Sequence, residues 1–352
     1  MWKLAVVVVL GCHATQQAVQ DAQSVVPDTA SSIDARAAVT TIPITMVMLP
    51  NGNSVGTVQV SIGGAAAFTA LLDTGSVGLR VVTGTVPDNA WQVTDQPSTV
   101  TYGSGVVATG AVATATVTLG GRATTQPIAM EDITSISCSA AHPTCPATGV
   151  DVTAFKFSNQ FPAILGVGMR ANANTLMASP IAAIGTNMQY VLAMPAYGGA
   201  TGTITIDPDA ATMARFTTRV ALASKGPALS NGIGSWDDTQ VPFCINAFCS
   251  NGLLDTGQAA IVIQTSSEAD FGKLGVPADS TTVPPNTAVQ IIVAANQTWS
   301  FEVGATPRLG VDLIRIDGGV GAGIENLGLA PFYKLDAFYD FSAGQIGLAP
   351  KP

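Results

Sequence analysis

From residue 41 onward the chain is a succession of short apolar blocks, many of them alternating apolar and polar positions, separated by Gly, Pro, Asn and Asp. A period of two predicts half-buried strands, and breaks of this kind predict tight turns. Strands are expected over Ile42–Leu49, Val55–Ile62, Ala66–Leu72 and Leu79–Val82. The long run from Val106 to Leu119 mixes Thr109, Val112, Thr114, Thr116 and Thr118 with Ala and Val, as hairpins do. Helical patterns are few: residues 174–187, and residues 265–274, where Thr265 and Glu268 have the spacing of a capping box. Gly198-Gly199-Ala200-Thr201-Gly202 reads as a junction, which divides an all-β, bilobal chain into residues 41–198 and 199–352.

The first forty residues break this pattern. Met1-Trp2-Lys3, the apolar run Leu4 to Leu10 and Val9-Leu10-Gly11-Cys12 resemble a bacterial lipoprotein signal over residues 1–12, with Cys12 lipidated. Seven apolar residues are too few to span a bilayer. Residues 13–40, rich in Gln, Ala, Ser and Asp, read as a flexible tether. The expected location is therefore the bacterial cell envelope, at the outer membrane through a lipid anchor only, or secreted.

Composition narrows the function. With 352 residues the chain has length for about two domains. Its formal charge of −9, from 23 acidic and 14 basic residues, leaves no basic stripe and argues against nucleic acid as a partner. Apart from Cys12 the cysteines fall in two close pairs, Cys138 with Cys145 and Cys244 with Cys249, spaced for two small disulfide loops in an exported protein. A zinc site competes weakly, because the only histidines are His13 and His142 and there is no Cys-x-x-Cys; neither metal nor cofactor is expected.

The chemistry lies in a repeat. Ala70-Leu71-Leu72-Asp73-Thr74-Gly75-Ser76 is echoed by Gly252-Leu253-Leu254-Asp255-Thr256-Gly257-Gln258, the aspartates being 182 positions apart (255 − 73). An apolar strand ending on Asp-Thr-Gly sets a carboxylate at the start of a tight turn that backbone amides can reach. Two such turns face to face let two carboxyls share one proton, one acting as base and the other as acid. Peptide hydrolysis by an activated water is the expected reaction.

Around this repeat the chain resembles the pepsin-like (A1-type) aspartic proteases over roughly residues 42–352. Tyr102-Gly103-Ser104-Gly105 resembles the tip of that family's flap, Ala163-Ile164-Leu165-Gly166 its apolar-apolar-Gly motif, and Leu327 to Pro350 its C-terminal signature. Cys244 and Cys249 match a small disulfide loop found there in many members. The resemblance implies a bilobal pepsin-like fold with the cleft between two related β-rich lobes, and a catalytic pair Asp73 and Asp255. It implies that Thr74 and Thr256 cross-bond the two loops, that Gly75 and Gly257 bond substrate main chain, and that Tyr102, Gly103 and Ser104 close over an extended peptide or protein substrate bound to a monomer. The hydroxyl of Ser76 would support the Asp73 carboxylate.

Two positions depart from the family. Gln258 stands where a Ser or Thr hydroxyl would bond the outer oxygen of Asp255; its amide can donate to the same oxygen but is longer. Arg80 stands where a tryptophan commonly steadies the flap tyrosine. It is expected at the substrate cleft, stacking on or bonding to Tyr102, or else pointing to solvent. The segment before residue 41 contains a single basic residue, Arg36, which suggests synthesis without a zymogen stage. The competing function is a pseudoprotease that binds a peptide or glycan at the surface; a single-lobe retroviral type is disfavoured because both halves sit in one chain.

Overall fold

The computed structural model describes residues 40–171, 177–229, 232–304, 314–317 and 324–352. The expected leader, Cys12 and nearly all of the tether lie outside the described residues, as does part of the 174–187 segment. Ten strands form the first half: β1 (Thr40–Met48), β2 (Ser54–Ile62), β3 (Phe68–Asp73), β4 (Val77–Val82), β5 (Gln92–Thr101), β6 (Val106–Ala115), β7 (Val117–Leu119), β8 (Arg122–Ala123), β9 (Ile128–Cys138) and β10 (Ala163–Val167). After them come β11 (Gln189–Ala193), β12 (Thr201–Ile206) and β13 (Thr218–Ala221). The second half holds β14 (Val241–Ile245), β15 (Phe248–Leu253), β16 (Ile261–Gln264), β17 (Ala288–Val293), β18 (Gln297–Glu302), β19 (Ile314–Asp317) and β20 (Glu325–Asn326), and the chain closes with β21 (Leu335–Asp340) and β22 (Gln345–Pro350). Among the described residues the α-helices are short: α1 (Pro180–Ile184), α2 (Ala210–Met213) and α3 (Glu268–Leu274).

The strands form two sheets. The larger has fifteen strands and runs β13-β22-β21-β11-β12-β1-β2-β3-β10-β4-β9-β6-β5, with β7 and β8 alongside; the smaller has seven and runs β18-β17-β14-β15-β20-β16-β19. A local order is repeated in both. In the first half β3 lies parallel to β10, β10 antiparallel to β4, and β4 parallel to β9. In the second, β15 lies parallel to β20, β20 antiparallel to β16, and β16 parallel to β19. The fold is all-β and bilobal, two related halves built on one plan.

Burial explains the strand sequences. Strands β3 and β4 are sealed along most of their length, so they read as largely apolar runs, whereas β17 alternates exposed with buried positions over its first half and β18 half-buried with exposed ones. Leu72, Leu79 and Ile44 are completely enclosed, each contributing about 1.5–3 kcal/mol of transfer free energy.

Several expectations are corrected. The Val106–Leu119 run breaks at Thr116, whose carbonyl accepts from Gly63 N, so that β7 joins β2 and not β9. The capping box does not form: α3 is capped at Ser267, and the Thr265 hydroxyl donates to Asp270 Oδ2 at 3.0 Å. The larger sheet also takes in β21 and β22, from the far end of the chain.

The hairpin β5–β6 carries Tyr102 to Gly105 at its tip, closed by Tyr102 N to Val106 O and Gly105 N to Tyr102 O, both 2.9 Å. Its register shifts between Val93 and Pro97, and that of β6 on β9 shifts between Thr109 and Gly110. A Cβ at Gly110 would lie 1.8 Å from Asp132 O, so no larger residue fits. Both expected disulfides are present, Cys138–Cys145 and Cys244–Cys249. The first closes a loop joined to the hairpin tip through Ser139 N to Gly105 O at 2.8 Å, with His142 against Gly105.

Candidate active site

Asp73 ends β3, and Asp255 follows Leu254 just beyond β15. Each strand runs parallel to an apolar-Gly strand, β10 or β20, and the glycine of that motif lets the chains approach. A Cβ at Gly166 would meet Val77 backbone at 2.7 Å, and one at Gly328 would meet Ala260 O at 2.5 Å. The duplicated Leu-Gly motif is thus the packing requirement of the duplicated Asp-Thr-Gly loop.

The two loops are locked by reciprocal bonds. Thr74 N donates to Thr256 Oγ1 at 3.0 Å and Thr256 N to Thr74 Oγ1 at 2.9 Å. Thr74 Oγ1 donates to Leu254 O at 2.7 Å, and Thr256 Oγ1 to Leu72 O at 2.9 Å. Both threonines are buried, so every hydroxyl and amide in this lattice is satisfied away from water.

Inside the lattice the carboxyls meet. Gly75 N donates to Asp73 Oδ1 at 2.7 Å and Gly257 N to Asp255 Oδ1 at 2.8 Å. A Cβ at Gly257 would lie 2.7 Å from Asp73 Oδ1 and 3.2 Å from Asp255 Oδ1, so both oxygens border one small space. At Gly75 a Cβ would stand 2.4 Å from the Asp255 carboxyl carbon, which restricts the position to glycine. Burial, and then the facing Asp73 carboxylate with which it shares a hydrogen bond, push the Asp255 carboxyl well above the ordinary range.

The outer oxygens have different partners. Ser76 Oγ donates to Asp73 Oδ2 at 2.6 Å. The expected counterpart, Gln258, does not serve Asp255: its carbonyl accepts from Leu329 N, and its side chain makes no bond to the carboxylate. Asn326 on β20 donates instead, Nδ2 to Asp255 Oδ2 at 2.6 Å, with its own carbonyl oxygen held by Gly328 N at 2.8 Å. Sequence reading passed over Asn326. The signal was present, since Asn326-Leu327-Gly328 stands where Ile164-Leu165-Gly166 stands in the first half.

Arg80 lies beside the Tyr102 hydroxyl, one of its two expected placements, but inside the protein and away from solvent. It is 1% exposed, with Nε donating to Glu131 Oε2 at 2.9 Å and Nη1 to Val77 O at 2.6 Å. An arginine this deeply buried requires a carboxylate partner. Burial raises the Glu131 carboxyl, and the Arg80 charge opposes that rise.

Tyr102 stands at the hairpin tip, its ring edge-on to Phe157 with centroids 5.5 Å apart. Its hydroxyl is enclosed, burial raises its pKa, and the charges that act on it are those of Arg80, Glu131 and Asp73. Gly103 and Ser104 are exposed beyond it. A second arginine, not anticipated from sequence, reaches the site: Arg170 pairs with Asp238 at 2.5 Å and donates through Nη2 to the Gly75 carbonyl. Among the described residues no group of three or more His, Cys, Asp or Glu could hold a metal ion.

Comparison with known proteins follows the same lines. The family described as PE-PGRS C-terminal aspartyl peptidase-like domain matches residues 40–236, a stretch that includes Asp73, the hairpin and β10 but ends before Asp255. The crystal structure of the aspartic proteinase from Irpex lacteus superposes with a TM-score of 0.55 at 17% identity, over 89% of this chain and 98% of that one. No curated protein matches the sequence.

Proposed function

Because the chain belongs to the PE-PGRS C-terminal aspartyl peptidase-like family, we propose that it is an aspartic endopeptidase whose catalytic pair is Asp73 and Asp255. The observation that carries this reading is the meeting of two carboxyls from two repeated loops, one of them outside the family match, inside a lattice of reciprocal threonine bonds. The raised Asp255 carboxyl supports a pair that holds one proton between them.

In the mechanism a water lies against both carboxyls. The ionised one takes a proton from the water as its oxygen attacks the scissile carbonyl carbon, while the protonated one donates to the carbonyl oxygen. Collapse of the tetrahedral species returns a proton to the leaving amine and restores the shared state. The substrate is an extended peptide, held by main-chain bonds as an added strand under the β5–β6 hairpin, with Tyr102, Gly103 and Ser104 over it. Gly75 O already accepts from Arg170, so a substrate amide there uses the second lone pair of that carbonyl.

The competing reading is a pseudoprotease with the same fold; the bond from Asn326 to Asp255 supports the enzyme, because it supplies the donor that Gln258 does not. We further propose lipid attachment at Cys12 and export, the lobes dividing near residue 198, and action as a monomer. Cleavage of a peptide library at pH 3 to 7, with and without a statine-type inhibitor, tests the enzyme reading. Hydrolysis that persists in Asp255→Asn would refute it.

A further inference from the structure

The two halves superimpose position by position around the aspartates. Arg80 pairs with Ile164 across β4 and β10, and Val262 pairs with Asn326 across β16 and β20. Likewise Ile164 pairs with Leu71 and Asn326 with Leu253, each two residues before its aspartate. Asn326 is therefore the structural equivalent of a buried isoleucine, and Gln258 is the equivalent of Ser76. One half keeps its donor in the loop, the other on the neighbouring strand.

We propose that Asn326 is a positioning residue for the catalytic pair, which replaces the missing loop hydroxyl and fixes the outer oxygen of Asp255 as a permanent hydrogen-bond acceptor. This rests on the enzyme reading above. Three observations carry the inference. The donor lies 2.6 Å from Asp255 Oδ2. Its amide cannot flip, because the oxygen is held by Gly328 N at 2.8 Å, leaving only NH2 toward the aspartate. And an amide NH2 donates but does not accept, unlike a hydroxyl, which does either.

The last point makes the pair chemically unequal. A proton on the outer oxygen of Asp73 can donate to Ser76 Oγ, but a proton on the outer oxygen of Asp255 would face the Asn326 NH2, which cannot accept it. When Asp255 is protonated, its proton is confined to Oδ1, the oxygen beside Asp73. Asn326 thus keeps the shared proton between the carboxyls whenever Asp255 carries it. The other charged and titratable groups that act on this arrangement are Asp73, Arg170 with its partner Asp238, Tyr102 and Tyr339. Glu325, though adjacent in sequence, spends its carboxylate on Gln264 N at 2.7 Å.

The test swaps the halves. Asn326→Ile, which copies Ile164, should lower kcat by about 10- to 100-fold with little change in KM, the loss expected for a charge-assisted bond. It should also move the basic limb of kcat/KM upward, because a donor that favours the ionised carboxylate has gone. Adding Gln258→Ser, which copies Ser76, should bring kcat back to within about threefold of wild type and restore the limb, as a charge-assisted bond is remade from the loop. Asn326→Asp keeps the size and guards against misfolding of the isoleucine variant. Its new carboxyl donates only when protonated, so activity should survive only on the acid side. An unshifted profile in Asn326→Ile, a failure of Gln258→Ser to rescue, or an equal shift in Gln258→Ala would each overturn the proposal. Should the wild type cleave no peptide, the enzyme reading falls while this one is still decided by carbon NMR titration of the Asp255 carboxyl. A higher value in Asn326→Ile than in wild type supports it, and equal values overturn it.

Discussion

The two Asp-Thr-Gly loops share a backbone plan and differ in where their polar side chains stand. In the first half the loop supplies the hydroxyl, Ser76, the strand behind is apolar at Ile164, and the next strand holds the buried Arg80–Glu131 pair. In the second half the loop position is Gln258, the strand behind carries Asn326, and the position matching Arg80 is the buried Val262. The difference teaches that what this fold demands is a donor at a point in space, not a residue type at a point in the motif. Strand register supplies that point from either side.

Removing the shared chemistry has the largest effect. Asp73→Asn and Asp255→Asn should each reduce kcat/KM on a peptide by about 10³- to 10⁴-fold, the range for loss of a general acid or base. Steady-state kinetics on purified variants checks this, and a residual rate above a tenth of wild type would show that the halves are not both required.

Making the first half resemble the second comes next. Arg80→Met leaves Glu131 buried without its partner and should destabilise by about 3–5 kcal/mol, whereas Arg80→Met with Glu131→Leu should recover most of that. Denaturant unfolding separates the two outcomes. If the double variant is as unstable as the single one, the pair does more than satisfy itself. Smaller again is Ser76→Ala, which removes the Asp73 donor without disturbing packing. A fall in kcat of about 10- to 100-fold is expected, comparable to the loss at Asn326, since each deletion strips one charge-assisted bond from one carboxyl. Unequal losses would mark one aspartate as the more sensitive of the pair.

The smallest effect is on stability against pH, and it draws on both halves, Asp132 in the first half also being raised by burial. Asp255 and Glu325 are both raised chiefly by burial, Glu325 to about 7, and Glu131 is raised in the first half. A carboxyl raised on folding binds its proton more tightly in the native state. Its contribution is full below the unfolded value and is lost as pH rises through the folded one. The melting temperature should therefore be highest near about pH 4 and fall toward about pH 8. Glu325→Gln should flatten the part of that slope between the ordinary 4.5 and about 7. A scan of melting temperature against pH in both proteins decides it.

Much of this was legible in the sequence. Strand positions followed from alternation, and the aspartates, threonines and glycines of the site followed from the repeat, because these are local patterns that fix local geometry. The burial of Arg80 on a carboxylate was not legible, because Glu131 lies fifty-one positions away and only the sheet brings them together. Asn326 was missed because the eye follows the shared Leu-Gly and not the residue that differs before it. The capping box failed for a related reason: Ser267 competes for the same helix start, and a spacing rule does not rank the two. Arg170 has no local signal at all, since its role depends on a carbonyl ninety-five positions earlier.

The register shifts in β5, β6 and β9 have a mechanical meaning. They fall side by side, at Val93 to Pro97, Thr109 to Gly110 and the facing part of β9, and so draw a crease across three adjacent strands. Beyond the crease lies a stiff arm of about five residues per strand, or roughly 16 Å at the usual rise. The Cys138–Cys145 loop is joined to the end of that arm and travels with it. Bending by about 10° at the crease would displace Tyr102 by roughly 3 Å over an arm of that length, so on the proposed enzyme reading a small angular change where backbone pairing is already broken would set how wide the entrance to the two aspartates opens.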